Sequence, residues 1–407
     1  MDNPGPLWGI RILDLSRVLA GPSCTQLLAD LGADVIKLER PGAGDETRTW
    51  GPPFVVDGDG KETTESGYYL SANRNKRSVT IDMANPQGVS LVKRLLETAD
   101  VLIENFKVGG LAKYGLGYDD LKGRFPKLVY CSITGYGQTG PYAARPGYDM
   151  MAQGIGGLIS MTGEPGRPPV KVPIAVNDVI TGLYAAIAIL SALRHRDSTG
   201  RGQRVDLGLL DVQVGWLYNQ GLNYLTGGMI PERLGTAHPN TVPYQAFATA
   251  DGFIVLAANN DDQFKRFLRV AGREDLLADP RFASNPARVR NRETVIAAVA
   301  DVIKPKPSAY WIAELEKVGV SCCPINALDE VFRDPQVLAR GMKIAMPHPL
   351  SGKGTVDLIG NPLKLSGTPV SYRRPPPTLG QHTDEVLEEL LGLGGEERDQ
   401  LRAAGVI

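Results

Sequence analysis

The stretch from Ile10 to Glu39 limits the possible folds more than any other part of the chain. Ile10-Arg-Ile-Leu-Asp-Leu15 alternates apolar and polar residues, the period of a half-buried strand. A loop follows, Ser16-Arg-Val-Leu-Ala-Gly-Pro22. A helix then runs through Leu31 and closes at Gly32, a residue suited to the left-handed turn after a helix. Asp34-Val-Ile-Lys-Leu-Glu39 reads as a second strand. Strand, loop, helix and strand make a βαβ unit, which commits the chain to a parallel sheet covered by helices. The expected fold is α/β, a Rossmann-like parallel-sheet large domain plus a small α+β domain. The first loop lacks G-x-G-x-x-G, and Gly42 and Gly44 fall after the second strand. Both facts argue against a nicotinamide or flavin dinucleotide.

Further strands are expected at Val79–Asp82, Val101–Ile103 and Leu128–Ile133, with a helix over Pro86–Thr98. Arg48 to Gly67 is rich in Gly, Pro and Asp and reads as a long loop. The large domain is assigned to residues 1–200 and is completed by 377–407, where Thr383-Asp-Glu begins a terminal helix. Residues 201–225 form a connecting stretch with a strand at Arg204–Leu207 and an apolar helix from Leu209. Residues 226–325 make the small domain. Its strands are Gln245–Thr249 and Phe253–Ala257, and its helices cover about 261–271, 287–303 and 308–319. Residues 326–376, punctuated by Pro and Gly, form the return linker.

The chain has 407 residues and a formal net charge of −1, so it lacks the basic footprint of a nucleic-acid binder. Its four cysteines have no C-x-x-C or metal-ligand spacing, and its four histidines form no metal motif; reduced thiols, no metal and a cytoplasmic location are expected. The N-terminus carries no basic-then-apolar leader pattern, and the apolar run Leu183–Leu193 is too short to span a bilayer. No membrane partner is expected.

Several stretches can carry chemistry. Asn177-Asp178 stands at the start of a long apolar helix. Either residue type is favoured as an N-cap, so Asp178 is a helix cap, a nucleophile held ionised by the helix terminus, or both. Arg40 follows the second strand, where ligands of open α/β sheets sit, and can meet a phosphate. Asn73-Arg-Asn75-Lys76-Arg77-Ser78 is either a local anion site or a solvated turn. Asn105-Phe106 at a strand end can hydrogen-bond and stack a base. The glycine-dense Thr134–Gly140 and Gly154–Gly157 can bring backbone N–H groups to an oxyanion.

Taken in order, these stretches resemble the family III CoA-transferases. The resemblance is carried by Ile12–Pro22, Leu28–Pro41, Asn73–Ser78, Glu104-Asn-Phe106, Ser132–Pro141, Gly147-Tyr-Asp149, Asn177-Asp178 and Gly380-Gln-His-Thr383. Arg48–Val55, Gly235–His238 and Val242–Phe247 are similar to the dicarboxylate branch, of the succinate–hydroxymethylglutarate type. The resemblance implies that Asp178 is the nucleophile of a CoA-transferase. It implies that CoA, a substrate and not a resident cofactor, is held by Val18, Ala20, Arg40, Asn75, Lys76, Arg77, Asn105, Phe106, Lys113 and Tyr148. It also implies a homodimer of two interlocked rings. A short dicarboxylate needs a cation or donors for its far end, and Arg17, Arg48, Arg233 and His238 are the candidates. His238 equally suits an ordinary structural histidine.

Two departures narrow the activity. Racemases of this family carry a Gly-His-Asp triplet, whereas this chain has Gly147-Tyr148-Asp149. A phenol, with a pKa near ~10, is a poor base at neutral pH, which argues against α-methylacyl-CoA racemization. Leu19 stands where formyl-CoA transferases carry Gln, which argues against formate or oxalate as the acid. A carnitine-type acid remains an alternative acceptor. The expected reaction passes CoA from an acyl-CoA such as succinyl-CoA to a short acid through aspartyl anhydride and aspartyl-CoA thioester intermediates.

Overall fold

The computed structural model describes residues 5–407. In chain order the elements begin β1 Arg11–Asp14, α1 Ala20–Asp30, β2 Asp34–Glu39, β3 Phe54–Val56, β4 Glu62–Ser66, α2 Gly67–Leu70 and β5 Lys76–Thr80. They continue α3 Pro86–Leu96, β6 Val101–Glu104, α4 Tyr118–Leu121, β7 Val129–Thr134, α5 Asp149–Ile155, α6 Leu158–Met161 and α7 Val176–Thr199. Next come β8 Arg204–Gly208, α8 Leu209–Gly215, α9 Tyr218–Gly227, β9 Tyr244–Ala248, β10 Phe253–Ala257, α10 Asp261–Val270, α11 Asn285–Arg290 and α12 Arg292–Ile303. The last are α13 Ser308–Lys317, β11 Ser321–Pro324, α14 Leu328–Val331, α15 Pro335–Ala339, β12 Lys343–Pro347, β13 Thr355–Ile359, α16 Thr383–Leu391 and α17 Gly395–Ala403.

The chain divides into two compact units. The first comprises residues up to Leu158, Val172–Leu222 and Pro335–Ile407; the second comprises Ile159–Lys171 and Asn223–Asp334. The first unit is built on a six-stranded sheet in the order β5-β2-β1-β6-β7-β8, with every pairing parallel. The opening βαβ unit is there as expected, with Gly32 at φ +110° closing the helix. From β1 the chain winds outward one way to β2 and β5, then returns and winds the other way from β6. β1 and β6 therefore flank the topological switch point, where the loops leaving the two strands diverge and open a crevice.

Side chains alternate along each strand, so each face of the sheet makes its own core. On one face Leu13, Ile36, Val79 and Leu102 pack with α3 and α16. On the other Ile12, Val35, Val101, Val129 and Ile133 pack with α1 and α7. By length and apolarity α7 could cross a membrane. Its buried face, Ala185, Ala186, Ile189, Ala192 and Leu193, lies in this second core, which is how a core helix is used.

The second unit has a three-stranded antiparallel sheet, β11-β10-β9, and helices closed around Phe264, Phe267, Val299 and Trp311. The wholly buried Arg288 is tolerated there because it donates to the Val242 and Phe282 carbonyls, pairs with Asp261 and stacks on Phe264.

Four expectations about elements change. The loop Arg48–Gly67 contains the β3–β4 hairpin. The strand expected from Val79 begins at Lys76, because Val35 pairs with Lys76 and Ile36 with Arg77. Residues 201–225, expected as a connection, supply β8, the sixth strand of the main sheet. The single helix expected from Leu209 is broken into α8 and α9, with Tyr218 at φ +40°.

Candidate active site

A cleft of about 190 Å³ opens at the switch point. It is walled by Arg17, Val18, Leu19 and Ala20 after β1, Asn105 to Val108 after β6, Ile133 to Gly135 at the end of β7, Arg145 to Tyr148, and Asp178. A second cleft of about 500 Å³ lies beside it, with Arg17, Glu46 and Phe106 common to both. Its walls mix apolar Leu15, Leu38, Ile81 and Met83 with Arg40 and Tyr114.

Asp178 is 9% exposed, and its carboxylate makes no hydrogen bond or ion pair with any described residue. That sets it apart. Asp14 accepts from Ser16, Thr25 and Lys76; Asp30 from Arg74, Asn75 and Asn361; Asp45 from Lys37 and Thr47; Glu39 from Arg48 and Ser78. Buried polar groups are normally partnered, so an exception in a cleft is a candidate functional group.

Two expectations for Asp178 are corrected. It is not the N-cap: that position is Ala175, and Asp178 is the third residue of α7. The capping oxygen comes from Asp149, whose Oδ1 accepts from Asn177 N–H at 2.8 Å and from Asp178 N–H at 3.3 Å. Nor does the helix terminus keep Asp178 firmly ionised. Burial, and next the Asp149 carboxylate, push its pKa up to about 7. A helix terminus contributes ~0.3–1 kcal/mol, too little to offset both.

The loop after β1 is held by a set of side chains. Arg17 N–H donates to Asn105 Oδ1 at 2.9 Å, and Asn105 Nδ2 returns a bond to the Arg17 carbonyl at 2.7 Å. Lys37 holds the Ser16 carbonyl, and the Val18 N–H is shared between both Asp45 oxygens. Val18 sits at φ +69°, a strained conformation for a β-branched residue that these bonds maintain. The loop then enters α1. The N–H groups of Leu19 and Ala20, at its first turn, donate to no described acceptor while lining the Asp178 cleft.

Glycines set the approach of the elements. A Cβ on Gly182, one turn below Asp178, would lie 2.8 Å from the Ala20 carbonyl and 3.2 Å from the Cys24 nitrogen. A Cβ on Gly135 would lie 2.5 Å from the Gly147 Cα. The glycine-dense turn after β7 thus serves backbone-to-backbone packing that brings Tyr148 to the cleft, next to Asp149 at the start of α5.

Of the residues expected to hold CoA, Val18, Ala20, Asn105, Phe106, Tyr148 and Arg40 line one cleft or the other. Asn105 does so with its Oδ1 and Nδ2 each bonded to the Arg17 backbone, so its side chain shapes the loop. Arg40 is exposed and has no acidic partner among the described residues. Lys113 is exposed beside the ring of Tyr114, 4.5 Å from its centroid, and lines neither cleft.

The cluster at 75–77 is neither an open anion site nor a solvated turn. Lys76 is wholly buried between Asp14, Asn73 and the Pro22 carbonyl. Asn75, at φ +63°, bonds Asp30 and ties down residues 371–374. Arg77 pairs with Asp34, Glu385 and Glu389. Arg48 likewise lines neither cleft: it is buried between Glu39 and Glu65 with its guanidinium on the ring of Tyr69.

Arg17 faces both clefts, with its guanidinium paired to Glu46 and 5.2 Å from the Phe106 centroid. Arg233 and His238 belong to the second unit. There Arg233 donates to the Ser160 carbonyl, and His238 stacks on Tyr244 and accepts from Asn240 N–H. Missed from sequence were Asp149, Lys107 and Arg145, whose guanidinium lies 3.8 Å from the Tyr142 centroid. The stretch Arg145-Pro-Gly-Tyr-Asp149 hinted at two of them, and Lys107 follows directly on Asn105-Phe106. The described residues contain no group of side chains that could hold a metal ion.

The fold is a doubly wound parallel sheet with an unbonded, buried carboxylate and open amides at its switch point, the place where α/β enzymes of this build bind their ligands. The chain belongs to CoA-transferase family III, whose model matches residues 7–383. It is 49% identical over 386 residues to succinate–glutarate CoA-transferase of Agrobacterium fabrum, spanning 95% of this chain and 96% of that protein. It is 44% identical to human succinyl-CoA:glutarate CoA-transferase, spanning 100% of this chain and 91% of that protein. Among solved structures, a CaiB/BaiF family protein from Brucella suis matches with a TM-score of 0.83 and 47% identity, over 95% of this chain and 100% of that one. The chain is therefore a CoA-transferase, with a CoA thioester as substrate and no resident cofactor implied by its family.

Proposed function

We propose that this enzyme moves CoA from succinyl-CoA to glutarate or a related short dicarboxylate, with Asp178 as the covalent nucleophile. The observation that carries the mechanism is the buried, unbonded Asp178 carboxylate facing the cleft. An Asp178 oxygen attacks the thioester carbonyl carbon, the C–S bond breaks, and CoA leaves as thiolate. The product is an aspartyl–succinyl anhydride. The thiolate then attacks the aspartyl carbonyl, releasing succinate and leaving an aspartyl-CoA thioester. The acceptor carboxylate runs both steps in reverse. Every nucleophile is an anion, so no general base is needed, and Tyr148 has no proton to move.

Both tetrahedral steps need donors for an oxyanion, where one donor is worth ~10²–10³ in rate. The open N–H groups of Leu19 and Ala20 are assigned that role in place of the glycine turns. Arg40 and the apolar second cleft suit the nucleotide end of CoA. Arg17, Lys107 and Arg145 line the first cleft and offer cations to the second carboxylate of a dicarboxylate. The dicarboxylate preference itself rests on the names of the relatives.

Asp178→Ala should abolish exchange of labelled succinate into succinyl-CoA while leaving CoA binding intact. Hydroxylamine added during turnover should convert Asp178 to a hydroxamate in the wild-type enzyme. Appreciable exchange by the Ala variant would rule out the mechanism. A panel of mono- and dicarboxylic acceptors in the same assay reads the substrate class, and a preference for monocarboxylates would rule that part out.

A further inference from the structure

Among the described residues, Asp149 is the one charged group that both touches the backbone at Asp178 and acts on its carboxylate. Its Oδ1 closes the first turn of α7 through Asn177 and Asp178 N–H, and its Oδ2 accepts from Gln153 Nε2 at 2.6 Å. Gln153 is buried, and its own carbonyl accepts from Val172 N–H on the segment leading to α7. Asp149 is thus held from two sides, by the start of α7 and by Gln153.

We infer that Asp149 is a positioning residue that works twice on Asp178, fixing the start of α7 and setting a second carboxylate beside an unbonded one so that Asp178 is a stronger nucleophile. This rests on Asp178 being the nucleophile. Two like charges at close range in a partly dry site repel. The repulsion disappears when Asp178 becomes an anhydride or a thioester, because either acyl form is uncharged. Asp149 therefore favours the covalent intermediates over the free carboxylate. A more basic carboxylate is also the better attacking group.

The other groups around Asp178 do not oppose this. Tyr68 on α2 is itself held protonated, its pKa pushed up to about 12 by burial and by Asp178, Asp149 and Asp45. On α1 the only ionisable groups are the buried Cys24 thiol and Asp30, which is occupied by Arg74, and on α8 Asp211 is exposed beside Gly137 and Gly208. Arg17, Glu46, Lys107 and Arg145 stand on the cleft wall, with Arg17 and Glu46 paired to each other.

Asp149→Asn removes the charge and keeps the cap, because the amide oxygen can still accept from both N–H groups, while its Nδ2 gives up the bond from Gln153 Nε2. The pH profile of kcat/KM for succinyl-CoA should lose activity on the acid side with a midpoint near about 7 in the wild-type enzyme. In the Asn variant the midpoint should fall by about one pH unit or more. kcat above the midpoint should drop about tenfold with KM for succinyl-CoA little changed. Asp149→Ala should show the same midpoint shift together with a lower melting temperature. A folded Asn variant that keeps the wild-type midpoint while hydroxylamine still labels Asp178 would overturn the inference. Absence of the label in the wild-type enzyme would instead overturn the nucleophile reading, and the inference with it.

Discussion

A buried carboxylate with no donor and a like charge beside it costs folding free energy whenever it is ionised. For Asp178 the folded-state pKa of about 7 lies above the ordinary 3.8. Below 3.8 the group is protonated whether folded or not, and no cost arises. Above about 7 it is charged in both states and the whole cost is present, up to about 4 kcal/mol at 1.36 kcal/mol per unit. Asp178→Asn should therefore melt at a higher temperature than wild type at about pH 8 and at nearly the same temperature at about pH 4. Equal melting temperatures at the higher pH would mean that the carboxylate is better solvated than its burial implies. The position of Asp178 was legible in the sequence, as a polar break before a long apolar run. Its cap and its charge neighbour were not, because Asp149 lies 29 residues away and only the fold joins them.

The placement of Asp178 depends on how closely α1 and α7 approach, and Gly182 sets that distance. Gly182→Ala puts a methyl against the Ala20 carbonyl, which belongs to the same turn as the open N–H groups of Leu19 and Ala20. Separation of the helices by a few tenths of an ångström moves the amides away from the nucleophile. Loss of kcat by up to about 10²-fold is expected, with little change in CoA affinity by calorimetry. Wild-type kcat would show that the contact is slack. The βαβ opening, the order of the elements and their types were readable because periodicity and glycine punctuation are local signals. Lys76 and Arg77 were misread for the same reason. A cation next to a turn looks solvated until its partners, Asp14 and Asp34, arrive from other strands. The break between α8 and α9 was hidden too, because apolar periodicity continues across it.

The outward side of α7 carries Val179, Leu183 and Ile187, exposed by 38%, 48% and 61%, and α5 adds Met150, Met151 and Ile155. Contiguous apolar surface of this kind is normally covered by another chain. We propose that a second copy covers it, in keeping with the interlocked homodimer that the family resemblance implies. Leu183→Glu combined with Ile187→Glu should convert a dimer to a monomer or an aggregate in sedimentation equilibrium. A wild-type protein that sediments as a monomer at micromolar concentration would exclude this assembly. No local pattern in the sequence distinguishes such a helix from one buried on all sides; the distinction needs the layer arrangement.

The larger unit is built from three separate stretches of chain, and this has a consequence for biosynthesis. Asp82 N–H donates to the Val406 carbonyl, and Val386, Leu387, Val406 and Ile407 fill the same core as Leu13 and Val79. The face of the sheet formed by the first strands to be synthesised is thus only partly covered, by α3, while all of the second unit is translated. At the usual rate of ~5–20 residues per second, that leaves apolar strands open for tens of seconds. Folding of this enzyme in the cell is therefore late and long-range for the unit that holds the nucleophile, and early and local for the unit that does not.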